Sequence, residues 1–218
     1  MTDNIKERIY TYRQMEWERK ELEHKSSGKW NASMLGGCDR KHFWKRKGES
    51  ITNPPTIEAM GKMNEGKRQE DDLIKEMKEA GIEIIWEQES VEYKDVVGKI
   101  DCATKDEIIE IKSQHSRSFW WAIKNGSILK RGHAFQLGFY MVAKEKERGL
   151  VIYKSKDDGS MEVVGVPLLK ELKESVENKI KKLNNYWKKE KLPPATPDEK
   201  WECSDKWCPY YNKCKEEK

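Results

Sequence analysis

The chain has 218 residues, of which 38% are charged and 36% apolar, and its 43 basic and 39 acidic groups leave a net charge of only +4. No stretch approaches the roughly 20 consecutive apolar residues of a membrane span, and no charged-then-apolar start marks a secretory leader, so a cytoplasmic protein is expected. Low apolar content can signal disorder, but the charges nearly cancel, and nine Trp, eight Tyr and four Phe supply the anchors of a folded domain with its own core. A surface dense in Lys and Glu also suits heat-adapted proteins. The slight positive excess is compatible with a local basic channel for nucleic acid.

Residues 4–24 are polar, with apolar points at Ile5, Ile9, Tyr12, Met15, Trp17 and Leu22 at mostly helical spacing, and Ser26-Ser27-Gly28 breaks the run. Ser33 can cap a short helix running toward Trp44. After Pro54-Pro55, Thr56 caps a predicted helix over 57–80 that stops at Gly81 and turns Met60, Met63, Leu73, Ile74 and Met77 inward. Strands are predicted over 82–93, 96–103 and 107–112. A short helix over 119–124 and a longer one over 130–146 lead to two more strands, 150–154 and 161–166, with a turn at Asp157-Asp158-Gly159 between them. A long helix over 167–189 ends before Pro193-Pro194, and a Cys-rich tail runs over 201–214. This order gives an α/β core, a mixed sheet with helices on its faces.

The most informative stretch is Gly98 to Lys112. If Lys105-Asp106 turn the chain between two antiparallel strands, Thr104 faces Glu107 and Asp101 lies directly opposite Glu110. Opposed residues point to the same side of a sheet, with Cβ atoms about 4.5–5.5 Å apart. Lys112 shares that face, while Ile109 and Ile111 point into a core. Two opposed carboxylates repel each other, and a divalent cation between them relieves this. Hard oxygen ligands suit Mg²⁺ or Mn²⁺, which can acidify a water and neutralise phosphate charge. An ammonium at Lys112 would steady that water, and the set suits phosphodiester hydrolysis. The plain alternative is a surface hairpin of alternating charge, and Lys-Asp is not a favoured two-residue turn.

His133, Gln136 and Tyr140 fall at i, i+3 and i+7 on one helix face. They read as a polar stripe that positions a phosphate, or as a solvated face with one half-buried Tyr. Glu70 reads as a further metal-side carboxylate or as one more Glu on a charged helix.

Five Cys are present, three of them, Cys203, Cys208 and Cys214, in the last sixteen residues. Clustered Cys in a reducing compartment favour a metal centre over disulfides. With Cys38 as a fourth ligand, the two ends of the chain would be clamped together around zinc or an iron–sulfur cluster. Cys102, flanked by Ile100 and Ala103, reads as a packed residue.

Asp101, an eight-residue gap and then Glu110-Ile111-Lys112 resemble the core motif of the PD-(D/E)XK nucleases. Gln136-Leu137-Gly138-Phe139-Tyr140 is similar to the Gln-x-x-x-Tyr motif of the RecB-like branch, and Gly66-Lys67-Arg68-Gln69-Glu70 lies where that branch carries a Gly-x-x-x-His/Glu helix motif. One early and three late Cys, with Pro209 and Tyr210-Tyr211 after Cys208, resemble its iron–sulfur members, the AddB-type helicase-nucleases, the CRISPR-associated RecB-like exonucleases and their phage-type relatives. The gap of four between Cys203 and Cys208 departs from the commoner gap of two.

The resemblance implies a restriction-endonuclease-like fold with a helical lobe from both termini closed by the cluster. It divides the chain into a helical region over 1–55, a nuclease core over 56–166 and a C-terminal helix with the cluster tail over 167–218. It implies Mg²⁺ or Mn²⁺ held by Glu70, Asp101, Glu110 and the carbonyl of Ile111, with Lys112, Gln136 and Tyr140 assisting. It also implies a 4Fe–4S cluster on Cys38, Cys203, Cys208 and Cys214. The partners expected are DNA, single-stranded or with free ends, and other DNA-processing proteins, with no membrane. A nicking or structure-specific endonuclease and a noncatalytic DNA-binding subunit are the alternatives.

Basic and aromatic residues complete the candidates. Phe119-Trp120-Trp121 beside Arg117 can stack exposed bases, although core packing would absorb two of the three. Lys124, Lys130, Arg131 and His133 are candidate DNA contacts. Lys41, Lys45, Arg46 and Lys47 form a second basic group, read as a solvated face unless it meets phosphate.

Overall fold

A computed structural model describes residues 2–23 and 26–217. Helix α1 spans Thr2–Glu23, and position 24 of the expected helix lies outside the described residues. The next elements differ from expectation. Trp30–Asn31 form a short strand, β1, and Ser33 lies in a single 3-10 turn, Ala32–Met34. The helix expected from Ser33 starts instead at Asp39, as α2 (Asp39–Lys47), because the backbone at Cys38 is extended and breaks the run.

Helix α3 (Ile57–Glu79) follows the sequence closely: the Thr56 hydroxyl accepts from the Ala59 N–H at 3.2 Å, and Gly81 takes a φ of +84° beyond its end. Met60, Leu73, Ile74 and Met77 are buried as expected, but Met63, also expected inside, is 61% exposed.

Strand β2 spans Trp86–Tyr93 and not the whole of 82–93. Its partner β3 (Val96–Ala103) ends opposite Trp86, so earlier residues have no strand to pair with after the Ile85 N–H reaches the Ala103 carbonyl. β4 (Glu107–Gln114), α4 (Ser116–Lys124), α5 (Arg131–Ala143), β5 (Arg148–Ser155) and β6 (Met161–Pro167) follow. Because Pro167 closes β6, α6 begins only at Lys170 and runs to Lys188. A 3-10 turn (Lys200–Glu202) and α7 (Tyr211–Glu216) make up the tail. Among the described residues, no helix is long and apolar enough to cross a membrane.

The six strands form one mixed sheet in the order β1-β3-β4-β5-β6, with β2 on β3. A strand has two edges, and β3 uses them unequally. Antiparallel β2 covers one edge. The other is divided: parallel β1 pairs at Val96 and Val97, and antiparallel β4 pairs at Cys102 and Ala103. On this second edge Gly98 to Asp101 lie between them with no strand beside them, although β2 runs along their first edge. α3 covers one face through Leu73, Ile74 and Met77 against Cys102, Ile109, Ile111 and Ile152. The larger core on the other face draws on the chain from Trp30 to Cys214.

Candidate active site

The gap in the β3 edge sets the geometry. The register Cys102↔Ile109 and Ala103↔Ile108, with the Thr104 N–H on the Glu107 carbonyl at 2.9 Å, puts Asp101 level with Glu110 as the turn count predicts. There the ladder stops, and the Asp101 carboxylate accepts from the Ile111 N–H at 2.8 Å. The side chain thus takes over a backbone donor that the splayed strands leave free.

Glu110 is 0% exposed and Asp101 9%. Lys112 donates to Glu110 Oε1, while Glu110 Oε2 is buried without a partner. Burial pushes the Glu110 carboxyl up to about 8, with Lys112 opposing the rise and Asp101 adding to it. Burial likewise pushes Asp101 up to about 6. Burial would depress Lys112, but the charges of Glu110, Asp101 and Glu70 hold its ammonium above the ordinary value. An orphaned carboxylate oxygen beside a second buried carboxylate is a donor set that a hard cation satisfies.

Glu70, from α3, adds its negative charge to the same group. Its Oε1 accepts from Lys67 and from Gln88 Nε2, both at 2.7 Å, which leaves Oε2 as the oxygen that could join a metal set. Gln88 falls between the Glu87↔Cys102 and Glu89↔Ile100 pairs, level with Asp101, and has a φ of +51°. A non-glycine residue there costs about 1–3 kcal/mol and marks a site held by its surroundings. Among the described residues, no group of three or more His, Cys, Asp or Glu is arranged as a metal-holding set.

The structure turns the α5 stripe inward. Tyr140, which a solvated face would leave half-buried, is 1% exposed, and Gln136 is 6% exposed. The Tyr140 hydroxyl donates to the Lys99 carbonyl at 2.8 Å and accepts from the Lys99 N–H at 3.1 Å. One side chain therefore satisfies both backbone groups of Lys99, on the stretch of β3 that lacks a strand along this edge. Gly98 leaves the space: a Cβ there would lie 2.7 Å from Tyr140 Cε1 and 2.6 Å from the Ala32 methyl. Gln136 Nε2 donates to the Tyr140 hydroxyl at 3.3 Å. His133 lies 2.9 Å from the Tyr153 hydroxyl, and burial with the nearby Lys112 charge lowers its pKa to about 3, so it is neutral.

Sequence reasoning missed Tyr153 and Gln88. Tyr153 is level with Lys112 on parallel β5, and its hydroxyl also accepts from the Lys130 N–H at 3.2 Å. A parallel neighbour leaves no local signal. The alternation Val151-Ile152-Tyr153 marks only which side the ring faces.

The aromatic run on α4 departs from expectation: only Phe119 is buried, while Trp120 and Trp121 are 51% and 64% exposed. Trp120 spends its indole N–H on Asp158 at 3.0 Å. Lys124 and Lys130 are exposed, and Arg131 pairs with Asp198 at 3.0 Å. Arg46 is not on a solvated face. It is 6% exposed, with its guanidinium 4.5 Å from the Trp30 ring and 4.3 Å from the Trp187 ring, because cation–π contact replaces hydration.

Cys38, Cys203, Cys208 and Cys214 all line one small cavity of about 20 Å³, together with Arg40, Lys41 and Trp44. All are free thiols, and Arg40 donates to Cys214 Sγ at 3.6 Å. Four sulfur donors suit a thiolate-bound metal in their chemistry, but among the described residues they are not drawn together as a metal-holding group, Glu202 lines the same cavity, and burial raises the Cys208 thiol. Cys102 is buried in the α3-side core, as read from the sequence.

No protein-family model matches the chain, and no curated protein matches its sequence. Solved structures do. An alkaline exonuclease from Laribacter hongkongensis, LHK-Exo, superposes with a TM-score of 0.59 at 16% identity over 76% of this chain and 90% of that one. The same enzyme in complex with dAMP gives a TM-score of 0.58 at 16% identity, over 75% and 89%. The protein SSO0001 gives 0.57 at 18% identity and covers 94% of each chain. At these identities the likeness is one of fold: a six-stranded mixed sheet flanked by helices, consistent with the restriction-endonuclease-like architecture.

Proposed function

We propose that this chain is a divalent-metal-dependent deoxyribonuclease of the RecB-like PD-(D/E)XK type, a cytoplasmic exonuclease acting on single-stranded DNA or DNA ends. The observation that carries it is the meeting of Asp101, Glu110 and Lys112 where β3 and β4 part, with Glu110 Oε2 buried and unpartnered. The fold shared with an alkaline exonuclease supports the reading. Asp101, Glu110, the Ile111 carbonyl and Glu70, through the Oε2 that Lys67 and Gln88 leave free, would hold Mg²⁺ or Mn²⁺. When bound, such an ion supplies Lewis-acid stabilisation of phosphate charge and an acidified water.

The chain's own residues do the rest. Lys112, held by Glu110, sets a positive charge beside the reacting phosphate. Asp101 ties β3 to β4 through the Ile111 N–H. Tyr140, braced by Gln136, fixes Lys99, two residues from Asp101, and so acts as a positioning residue. Cys38, Cys203, Cys208 and Cys214 hold a structural 4Fe–4S cluster in this reading. The same four thiolates also satisfy tetrahedral zinc.

The test is cleavage by the wild-type chain, with Mg²⁺ or Mn²⁺, of end-labelled linear and circular single strands. An exonuclease degrades the linear strand and spares the circle. Cutting of the circle turns the assignment to an endonuclease, and binding without cleavage turns it to a noncatalytic subunit.

A further inference from the structure

The face of β4 that carries Glu110 and Lys112 continues to Gln114, about 6.6–6.8 Å further along the strand. Gln114 opens a groove of about 350 Å³ that Arg117, Trp121, Ser127 and Lys130 also line. The groove adjoins the active site through Tyr153, level with Lys112, whose hydroxyl takes the Lys130 N–H.

Helix α4 is a fixed platform for it. Phe119 and Ala122 are buried in the core. The β5–β6 turn holds the helix start, with Asp157 accepting from the Ser116 N–H at 2.7 Å and Asp158 from the Trp120 indole at 3.0 Å.

The lining is chemically one-sided. Among the described residues, four tryptophans are exposed. Trp120 has its Asp158 bond and Phe119 edge, and Trp201 and Trp207 pack on each other. Trp121 has no such side-chain partner among the described residues and is 64% exposed. Arg117 and Lys130 are exposed and enter no ion pair among the described residues, although acidic groups nearly equal basic ones in the chain. No carboxylate lines the groove, and the Gln114 side-chain nitrogen is buried with no acceptor.

An open indole face, two uncommitted cations and an unused amide donor match one ligand class: a nucleotide with an exposed base and flanking phosphates. We propose that this groove is a subsite for one unpaired nucleotide beside the scissile phosphate, with its base on Trp121, its phosphates on Arg117 and Lys130, and an oxygen on the Gln114 amide. This rests on the nuclease reading and sharpens it. A base inside a duplex has both faces covered by its neighbours, so the subsite selects single strands or frayed ends.

The test measures the affinity of the whole chain for a fluorescent oligothymidylate and for a covalently closed circular duplex in EDTA. Trp121→Ala, Trp121→Phe and the Arg117→Ala/Lys130→Ala pair are compared with wild type. Stacking one base is worth a factor of about 5 to 150 in affinity. Trp121→Ala should lose that factor on the oligothymidylate and less than about twofold on the duplex, and Trp121→Phe should keep most of it. Removing both cations should lower the slope of log affinity against log salt by about 1.4. An abasic nucleotide scanned along the strand should weaken wild-type binding at one position, where wild type and Trp121→Ala converge.

Wild-type affinity in Trp121→Ala, or no sensitive abasic position in wild type, overturns the subsite. If wild type cleaves DNA in those circumstances, the nuclease reading stands without it. If wild type shows the stacking signature but never cleaves with Mg²⁺ or Mn²⁺, the nuclease reading fails and the subsite remains.

Discussion

Tyr140→Phe removes one oxygen from the core and nothing from the surface. That oxygen serves Lys99 twice, as donor at 2.8 Å and acceptor at 3.1 Å, and takes the Gln136 amide at 3.3 Å, in a residue 1% exposed. On the edge of β3 it serves there is no neighbouring strand, so no other backbone group replaces it there. A buried backbone donor or acceptor left unpaired costs about 1–3 kcal/mol, so the two together cost roughly 2–6 kcal/mol, with the low end expected because both bonds are part-buried. For a chain of this size, at about 2–4 °C per kcal/mol, the low end lowers the melting temperature by about 4–8 °C. Because the hydroxyl is spent on the strand, its loss should act on cleavage through the placement of Asp101: kcat falls while KM for DNA changes little. Gly98→Ala, which pushes the same ring, should reproduce the pattern with the hydroxyl still present. Thermal melts and urea titrations measure the first effect, and steady-state cleavage the second. A Tyr140→Phe protein as stable as wild type would refute the view that this hydroxyl stands in for a missing strand.

Asp101→Ala and Lys112→Ala should each abolish cleavage in Mg²⁺ while leaving the circular dichroism spectrum unchanged; retained activity in either removes that residue from the site. In EDTA, the raised pKa values of Glu110 (about 8) and Asp101 (about 6) mean that the folded state holds protons the unfolded state releases. The stability they confer is full below pH ~4 and is lost as pH rises through the folded values, on the order of a few kcal/mol. Melting temperature should therefore fall between pH 5 and 9, and Glu110→Gln should flatten the fall; equal slopes in the two proteins contradict it. Anaerobically purified chain should be brown, and Cys208→Ala should lose both the colour and thermal stability, since metal binding contributes to folding. Colourless protein with one equivalent of zinc moves the cavity to the rival metal.

The Asp101–Glu110 pair was readable because a hairpin register follows from counting outward from its turn, and Thr104 and Glu107 hold that count in the structure. The Thr56 cap and the Gly81 stop were readable because caps are local chemistry. What escaped is non-local. Trp30–Asn31 is too short to read as a strand and exists only because Val96 and Val97 lie beside it. Arg46 reads as a surface cation until Trp30 and Trp187 close on it from distant parts of the chain. Helical spacing put Gln136 and Tyr140 on one face. Whether that face meets solvent or the bare edge of β3 depends on β1 and β4 sharing one side of a strand, which no local pattern records.

The central claim is that Glu110 belongs to a hydrolytic site and is not merely a buried acid. Release of nucleotide from an end-labelled single strand in Mn²⁺ by wild type and by Glu110→Gln, a change that keeps the side chain's shape, tests it most directly. Turnover by the wild-type chain and none by a folded Glu110→Gln protein is the expected result. Equal release by both, or none from wild type in either Mg²⁺ or Mn²⁺, would contradict it.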